Sequence, residues 1–213
     1  RSASVNPSET RRYWAECSGA YSPTYYAHYG PDDRSEAIRS QLAETVGRDA
    51  DVLEIGCSSG RHLAHLLGDG FESLAGIEVN DDAFEVMADT YPDLRAQGTF
   101  YPDAVQSVVT DMPDGRFDAV FSVETLQHLP PDDAWVFDEL ARLTDELLLT
   151  VENEGDVAGE TGASTETAVT HVEGTIPLYH RDWRQVFEAR GLRQIACTQF
   201  DRTTMRVFKA GEA

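Results

Sequence analysis

The sequence predicts an α/β fold: a seven-stranded, mostly parallel sheet with helices on both faces and an antiparallel hairpin at its C-terminal edge. Three observations carry this. From Asp51 onward, short apolar runs alternate with amphipathic stretches, the pattern of a parallel sheet covered on both sides. The central runs are continuously apolar, as strands buried on both faces are. The last two runs are joined by a short turn through Asp201–Thr203 and read as a hairpin.

In order along the chain, strands are expected at Val52–Ile55, Leu74–Val79, Leu94–Gln97, Ala119–Ser122, Leu147–Val151, Arg193–Thr198 and Met205–Phe208. Helices are expected at Arg61–Leu67, Asp82–Thr90, Asp103–Val109, Asp132–Leu143 and Arg181–Ala189. Two segments fall outside this rhythm. Residues 1–50 carry a helix at Ser35–Val46 behind an aromatic-rich stretch, "RRYWAECSGAYSPTYYAHYG". They are read as a helical, aromatic cap on an α/β region spanning 51–213, the two forming one compact unit. Residues 153–176 are polar and glycine-bearing, and are expected to form a long loop after the fifth strand, functional or mobile.

The chain of 213 residues is long enough for one large domain. Its net charge, 17 − 38 = −21, is spread along the whole length, and Lys209 is the only lysine. An acidic, lysine-poor surface predicts a halophilic source, because concentrated salt screens self-repulsion. The acidity therefore says little about partners. Cys17, Cys57 and Cys197 are widely spaced, which fits neither a disulfide framework nor a zinc knuckle. The sequence opens at Arg1 without a charged-then-apolar leader and holds no apolar run of membrane-spanning length. A trimmed chain and a cytoplasmic location without membrane contact are expected. A homodimer is left open.

The most informative stretch is "DVLEIGCSSGRHL", a buried strand broken by Gly56 and Gly60 with Glu54 just before the break. Such a turn lets backbone approach a ligand and aims helix N–H groups at it, but it also serves as a plain strand-to-helix connection. Further on, Glu78 in "AGIEVN" stands at the end of the second strand, where an acid can take both hydroxyls of a ribose. The G-x-G-x-x-G pattern of nicotinamide oxidoreductases is missing. Glu54 would repel a pyrophosphate and attract a cationic ligand.

"VLEIGCSSGRHL", "LAGIEVN" and "RFDAVFSVETLQHLP", in this order and spacing, resemble the signature stretches of class I S-adenosylmethionine-dependent methyltransferases over about residues 50–209. Ser58 replaces the family's middle glycine. The resemblance implies a Rossmann-like fold and S-adenosylmethionine as cofactor, with S-adenosylhomocysteine as product. It places the methionyl part at Gly56, Cys57, Ser58 and Gly60, with Glu54 facing the positive charge. It assigns the ribose to Glu78, with Val79 and Asn80 beside it. Adenine falls between Thr99 and Phe100, and the methyl-donor side to Ser122 and Val123.

Methyl transfer needs alignment of acceptor, methyl carbon and sulfur, and a base only for a hydroxyl or protonated amine. Glu124, Gln127 and His128, after the fourth strand, are the catalytic candidates. Related enzymes with E-x-x-E-H at this place bind a divalent metal. Gln127 replaces the second acid, and an amide suits a hard dication poorly, so no metal is expected. His128 reads equally as a helix-start residue. Tyr13, Trp14, Tyr21, Tyr25, Tyr26 and Tyr29 read as a lid and acceptor pocket, or as packing for the first helix. His171, His180, Arg181 and Trp183 read as the pocket's other wall, with His180–Asp182 also able to cap the next helix. The expected activity is methylation of an oxygen or nitrogen on a small-molecule or sugar-like acceptor. The alternatives are a nucleic-acid (RNA) methyltransferase, disfavoured by the missing basic patch, and a non-catalytic, cofactor-binding regulatory subunit.

Overall fold

The computed structural model describes residues 6–155, 167–172 and 176–211. Its main sheet opens with β1 (Val52–Ile55), β2 (Leu74–Ile77), β3 (Thr99–Tyr101), β4 (Phe117–Val123) and β5 (Thr144–Glu152). Strands β6 (Ala168–Val172) and β7 (Ile176–His180) form a separate two-stranded sheet, and β8 (Leu192–Gln199) and β9 (Thr204–Ala210) complete the main one. The spatial order is β3-β2-β1-β4-β5-β9-β8. Strands β1 to β5 run parallel, whereas β9 is antiparallel to both β5 and β8. The expected sheet and its C-terminal hairpin are both present. Because the chain leaves β1 towards β2 and β3 and then returns to β4 on the other side, the crevice beyond the ends of β1 and β4 is the natural ligand site.

Burial explains why the central strands read as apolar runs. In β1 the side chains alternate between two cores. Val52 packs with Leu63, Leu66 and Phe121 on one face, and Leu53 and Ile55 with Phe137, Trp183 and Phe208 on the other. The covering helices are α3 (Asp33–Thr45), α4 (Arg61–Gly68), α5 (Asp82–Thr90), α8 (Trp135–Leu143) and α9 (Trp183–Glu188). Helix α3 contributes the fully buried Ile38 and Leu42, so it packs as part of the core under the sheet. It begins at a reciprocal cap: the Asp32 carboxylate accepts from the amides of Arg34 and Ser35, and the Asp32 amide donates to Ser35 Oγ.

Three segments differ from expectation. Leu94–Gln97 lies in helix α6 (Pro92–Gln97), not in a strand. Pro92 is preset for a first helical turn, and Leu94 is the segment's buried residue. The strand begins after Gly98. The aromatic stretch holds two helices, α1 (Pro7–Ala15) and α2 (Pro23–Tyr29), each with proline in its first turn and a side-chain cap, Asn6 and Ser22 respectively. Within the expected loop at 153–176, Ala168–Val172 pairs with β7 as a strand; residues 156–166 and 173–175 of that loop lie outside the described residues. Strand β6 is almost wholly exposed, so it lacks the apolar alternation that reveals a half-buried strand. No helix among the described residues is long and apolar enough to cross a membrane.

Candidate active site

A cavity of about 510 Å³ opens at the crevice beyond β1 and β4. Its first wall is the turn after β1, where Gly56, Ser58 and Gly60 all have positive φ (70°, 49° and 88°). The two glycines answer different constraints. A Cβ on Gly56 would run into the Thr125 side chain across the cleft. One on Gly60 would meet Leu94 Cδ2 at 2.6 Å and Met87 Cε at 3.0 Å. Gly60 therefore lets α4 pack closely against its neighbours, while Gly56, Cys57 and Ser58 line the cavity.

Glu78 braces this turn. Its Oε2 accepts from the Ser58 amide at 2.8 Å and its Oε1 from the Asn80 amide at 2.9 Å. Burial raises its pKa, and these amides oppose the rise. Each carboxylate oxygen keeps acceptor capacity for a further donor. Asn80 is itself held, donating to Cys17 O at 3.2 Å and accepting from the Asp82 amide at 3.1 Å. Glu54 lines the same wall, 1% exposed, and its Oε2 has no hydrogen-bond partner. Burial pushes its pKa well up, Arg61 opposes this, and Glu78 adds to it. A buried carboxyl without a partner suits a ligand carrying positive charge. Burial also raises the Cys57 thiol well above its ordinary range, so Cys57 is no nucleophile.

The second wall is the turn after β4. Glu124 has a positive φ of 48°, and its Oε2 accepts from Arg34 Nη1 at 2.7 Å. Arg34 also donates to Asp32 Oδ2 through Nε (3.1 Å) and Nη2 (2.9 Å). Gln127 is turned to structure: its Oε1 accepts from the Asn153 amide at 2.7 Å, and its amide nitrogen lies 3.5 Å from His128 Nε2. His128 Nδ1 lies 3.3 Å from Pro177 O. A carbonyl can only accept, so Nδ1 carries the proton and Nε2 keeps its lone pair. Burial lowers the His128 pKa to about 4, against opposing pulls from Pro177 and Glu124. The imidazole is therefore neutral.

One face of α1, through Pro7, Thr10, Arg11 and Trp14, closes the cavity together with Tyr21, Tyr25, Tyr26 and Tyr29. Trp14 lies against His128 with ring centroids 4.7 Å apart. Tyr13 packs edge-on against Trp14 at 5.0 Å. Arg61 lies over Tyr26 at 4.9 Å and reaches Asp32 at 3.3 Å, which ties α2 to the turn after β1.

Several expected positions lie away from the cavity. Phe100 packs on Phe84 and under Arg95, and Thr99 is exposed on an edge strand. Neither lines the cavity; Asp103, Ala104, Val105 and Gln106 do. The reason is the displaced strand: with β3 at Thr99–Tyr101, the loop at its carboxyl end comes later. Ser122 is buried behind Val123 and donates to Glu152 Oε1 at 2.7 Å, while Val123 lines the cavity. Trp183 is a core residue between Phe137 and Phe187, and His171 is exposed on β6. Asp182 caps α9, and His180 binds Thr170 and Asn153 O. Arg181 points at the turn after β4 from behind, and Glu152 reaches the same turn from β5. No sequence signal marked Glu152, because its partners, three backbone amides and the Ser122 hydroxyl, lie 25–30 residues away.

Residues 52–146 match the family model described as a methyltransferase domain. A search of curated proteins finds no match. Among solved structures, the chain is similar to magnesium protoporphyrin IX methyltransferase from Synechocystis with bound S-adenosylmethionine (TM-score 0.68, 14% identity, 99% of this chain and 100% of that one). It is also similar to 1,6-didemethyltoxoflavin-N1-methyltransferase from Burkholderia thailandensis with bound 1,6-didemethyltoxoflavin and S-adenosylhomocysteine (TM-score 0.66, 14% identity, 84% and 79%). A third is a sugar N-methyltransferase from Streptoalloteichus (TM-score 0.58, 18% identity, 84% and 87%). The domain match runs from β1 to the start of β5, and the likeness to these structures extends the methyltransferase fold over the rest of the chain.

Proposed function

We propose that the protein moves a methyl group from S-adenosylmethionine to an oxygen or nitrogen of a small-molecule or sugar-like acceptor. When bound, the cofactor supplies an activated methyl group on positively charged sulfur. One observation carries the reading: the turn at Gly56–Ser58, backed by Glu54 and Glu78, faces the neutral His128 across a single cavity. Glu78 has carboxylate capacity for ribose hydroxyls. Glu54, buried and without a partner at Oε2, answers the ligand's positive charge. Asp103–Gln106 takes the adenine side in place of Thr99 and Phe100. The aromatic face of α1 and α2 excludes water from the acceptor.

His128 Nε2 has the lone pair to take a proton from a hydroxyl or amine as the methyl arrives. Its low pKa keeps it ready at neutral pH and limits it to a modest base, so alignment supplies most of the rate. Glu124, fixed by Arg34, orients the acceptor. Gln127 has its oxygen engaged by the Asn153 amide and offers a dication only a poor ligand, so the proposed mechanism is written without a metal.

Calorimetry with S-adenosylhomocysteine tests the cofactor. Binding is expected, and NADH binding in its absence would overturn the proposal. Mass spectrometry of material co-purifying in the cleft would identify the acceptor. With that acceptor, His128→Ala should lower turnover by about a hundredfold while cofactor affinity holds, and EDTA should change little.

A further inference from the structure

The turn carrying Glu124 and His128 is gripped through its backbone by two buried charges of opposite sign. On one side is Glu152, fully buried at the end of β5. Its Oε2 accepts from the amides of Thr125 at 3.0 Å and Gln127 at 3.3 Å, and its Oε1 from the Leu126 amide at 3.2 Å. Ser122 Oγ donates to Oε1 at 2.7 Å. On the other side is Arg181, 7% exposed. Its Nη2 donates to Leu129 O at 2.6 Å and its Nη1 to Leu126 O at 3.4 Å, while the rings of Phe137, Tyr179 and Trp183 surround the guanidinium. The anion takes the turn's N–H groups and the cation its carbonyls. Neither residue lines the cavity.

We infer that Glu152 and Arg181 are positioning residues, which hold the turn after β4 so that Glu124 and His128 face the methyl-donor wall; the inference rests on the methyltransferase reading of the cleft. Burying a charge is costly, and neutral partners would close a turn at lower cost. Charged acceptors and donors make stronger, more directional bonds than neutral ones, and Glu124 enters this turn with φ +48°, which must be held against relaxation. The grip requires an ionised Glu152, since a protonated carboxyl loses acceptor capacity just where three amides converge. The charged groups facing it are Glu124, which repels, and Arg181, which attracts. Burial sets its pKa near 7, against the bonds from Ser122, Leu126 and Gln127. The turn should therefore loosen on mild acidification, well before His128 takes a proton.

The test uses the full ¹⁵N-labelled chain, followed by NMR from about pH 5.5 to 8.5. The amides of Thr125, Leu126 and Gln127 are expected to titrate together with a midpoint of about 7. Glu152→Gln should abolish that transition and speed hydrogen exchange of the three amides by about tenfold. Glu152→Asp should restore the transition in part. Wild-type amides that move independently, or not at all, would overturn the proposal even where the variants do not fold. So would unchanged exchange in a folded Glu152→Gln. None of these readouts needs cofactor, so a failure of the methyltransferase reading would show separately, as a chain that does not bind S-adenosylhomocysteine.

Discussion

The two walls of the cavity are built by different means. The wall after β1 is made from two nearly contiguous pieces, Glu54–Ser58 and Glu78–Asn80, joined by bonds from Glu78 to the Ser58 and Asn80 amides. The wall after β4 takes its shape from scattered places: Arg34 on α3, Glu152 on β5, Asn153 just beyond, Pro177 on β7 and Arg181 before α9. A cofactor common to a family can be met by local backbone geometry. On the proposed reading, the wall after β4 meets the acceptor, with side chains collected from many segments. The two walls come together where Gly56 faces Thr125.

The largest effect is expected there. Gly56→Val puts a β-branched side chain at φ +70° and drives it into Thr125. Overpacking and backbone strain together should remove on the order of 4 kcal/mol of stability and abolish cofactor binding. The cause is collision between the walls rather than filling of ligand space. Gly56→Ala combined with Thr125→Ala should therefore recover much of the loss in urea unfolding. If the double variant is no more stable than Gly56→Ala alone, the walls are not in contact.

The second effect isolates the wall after β4. His128 has a folded pKa of about 4 against an ordinary 6.5. A base held below its unfolded value contributes stability above pH 6.5 that is lost as pH falls through about 4. Comparing wild type with His128→Gln by urea unfolding should show the wild type losing about 3 kcal/mol relative to the variant across that window. A constant difference would mean that the imidazole is not held neutral. Next in size, Glu78→Ala acts on the other wall. It should weaken S-adenosylhomocysteine binding by about 1.5–3 kcal/mol and free the Ser58 and Asn80 amides, with no change in the pH response of His128. Coupling between the two would merge the walls into one unit.

The same contrast explains what was legible in the sequence. The strand–turn–helix around Gly56 and the acid at Glu78 are local patterns, and they line the cavity where they were expected. Thr99 and Phe100 were misplaced through one error, the strand read into Leu94–Gln97 when Pro92 starts a helix there. That shifted the predicted lining away from Asp103–Gln106. Glu152 gave no signal, and Arg181, read as a wall of the pocket, instead grips the turn after β4 from behind. Each looks like an ordinary strand end or helix approach until tertiary structure brings it against the backbone of residues 125–129.

The smallest effect separates cleft from surface. With a charge of −21 and a single lysine, exposed acids repel one another, and salt should relieve this. Salt also weakens surface ion pairs such as Arg184–Glu188, whose side chains are 57% and 38% exposed, but each such pair is worth little. The balance favours repulsion, so the melting temperature should rise by about 5 °C between dilute buffer and molar KCl. The cleft should respond differently. Glu54 is buried and Glu78 half-buried in the cavity wall, largely beyond screening by mobile ions, and S-adenosylhomocysteine affinity should move by less than about threefold over the same range. A melting temperature highest in dilute buffer would remove the inferred adaptation to salt. An affinity that falls steeply with salt would show instead that the surface field, not the buried carboxyls, draws the ligand in. The turn after β1 would then lose its claim to act through local geometry alone.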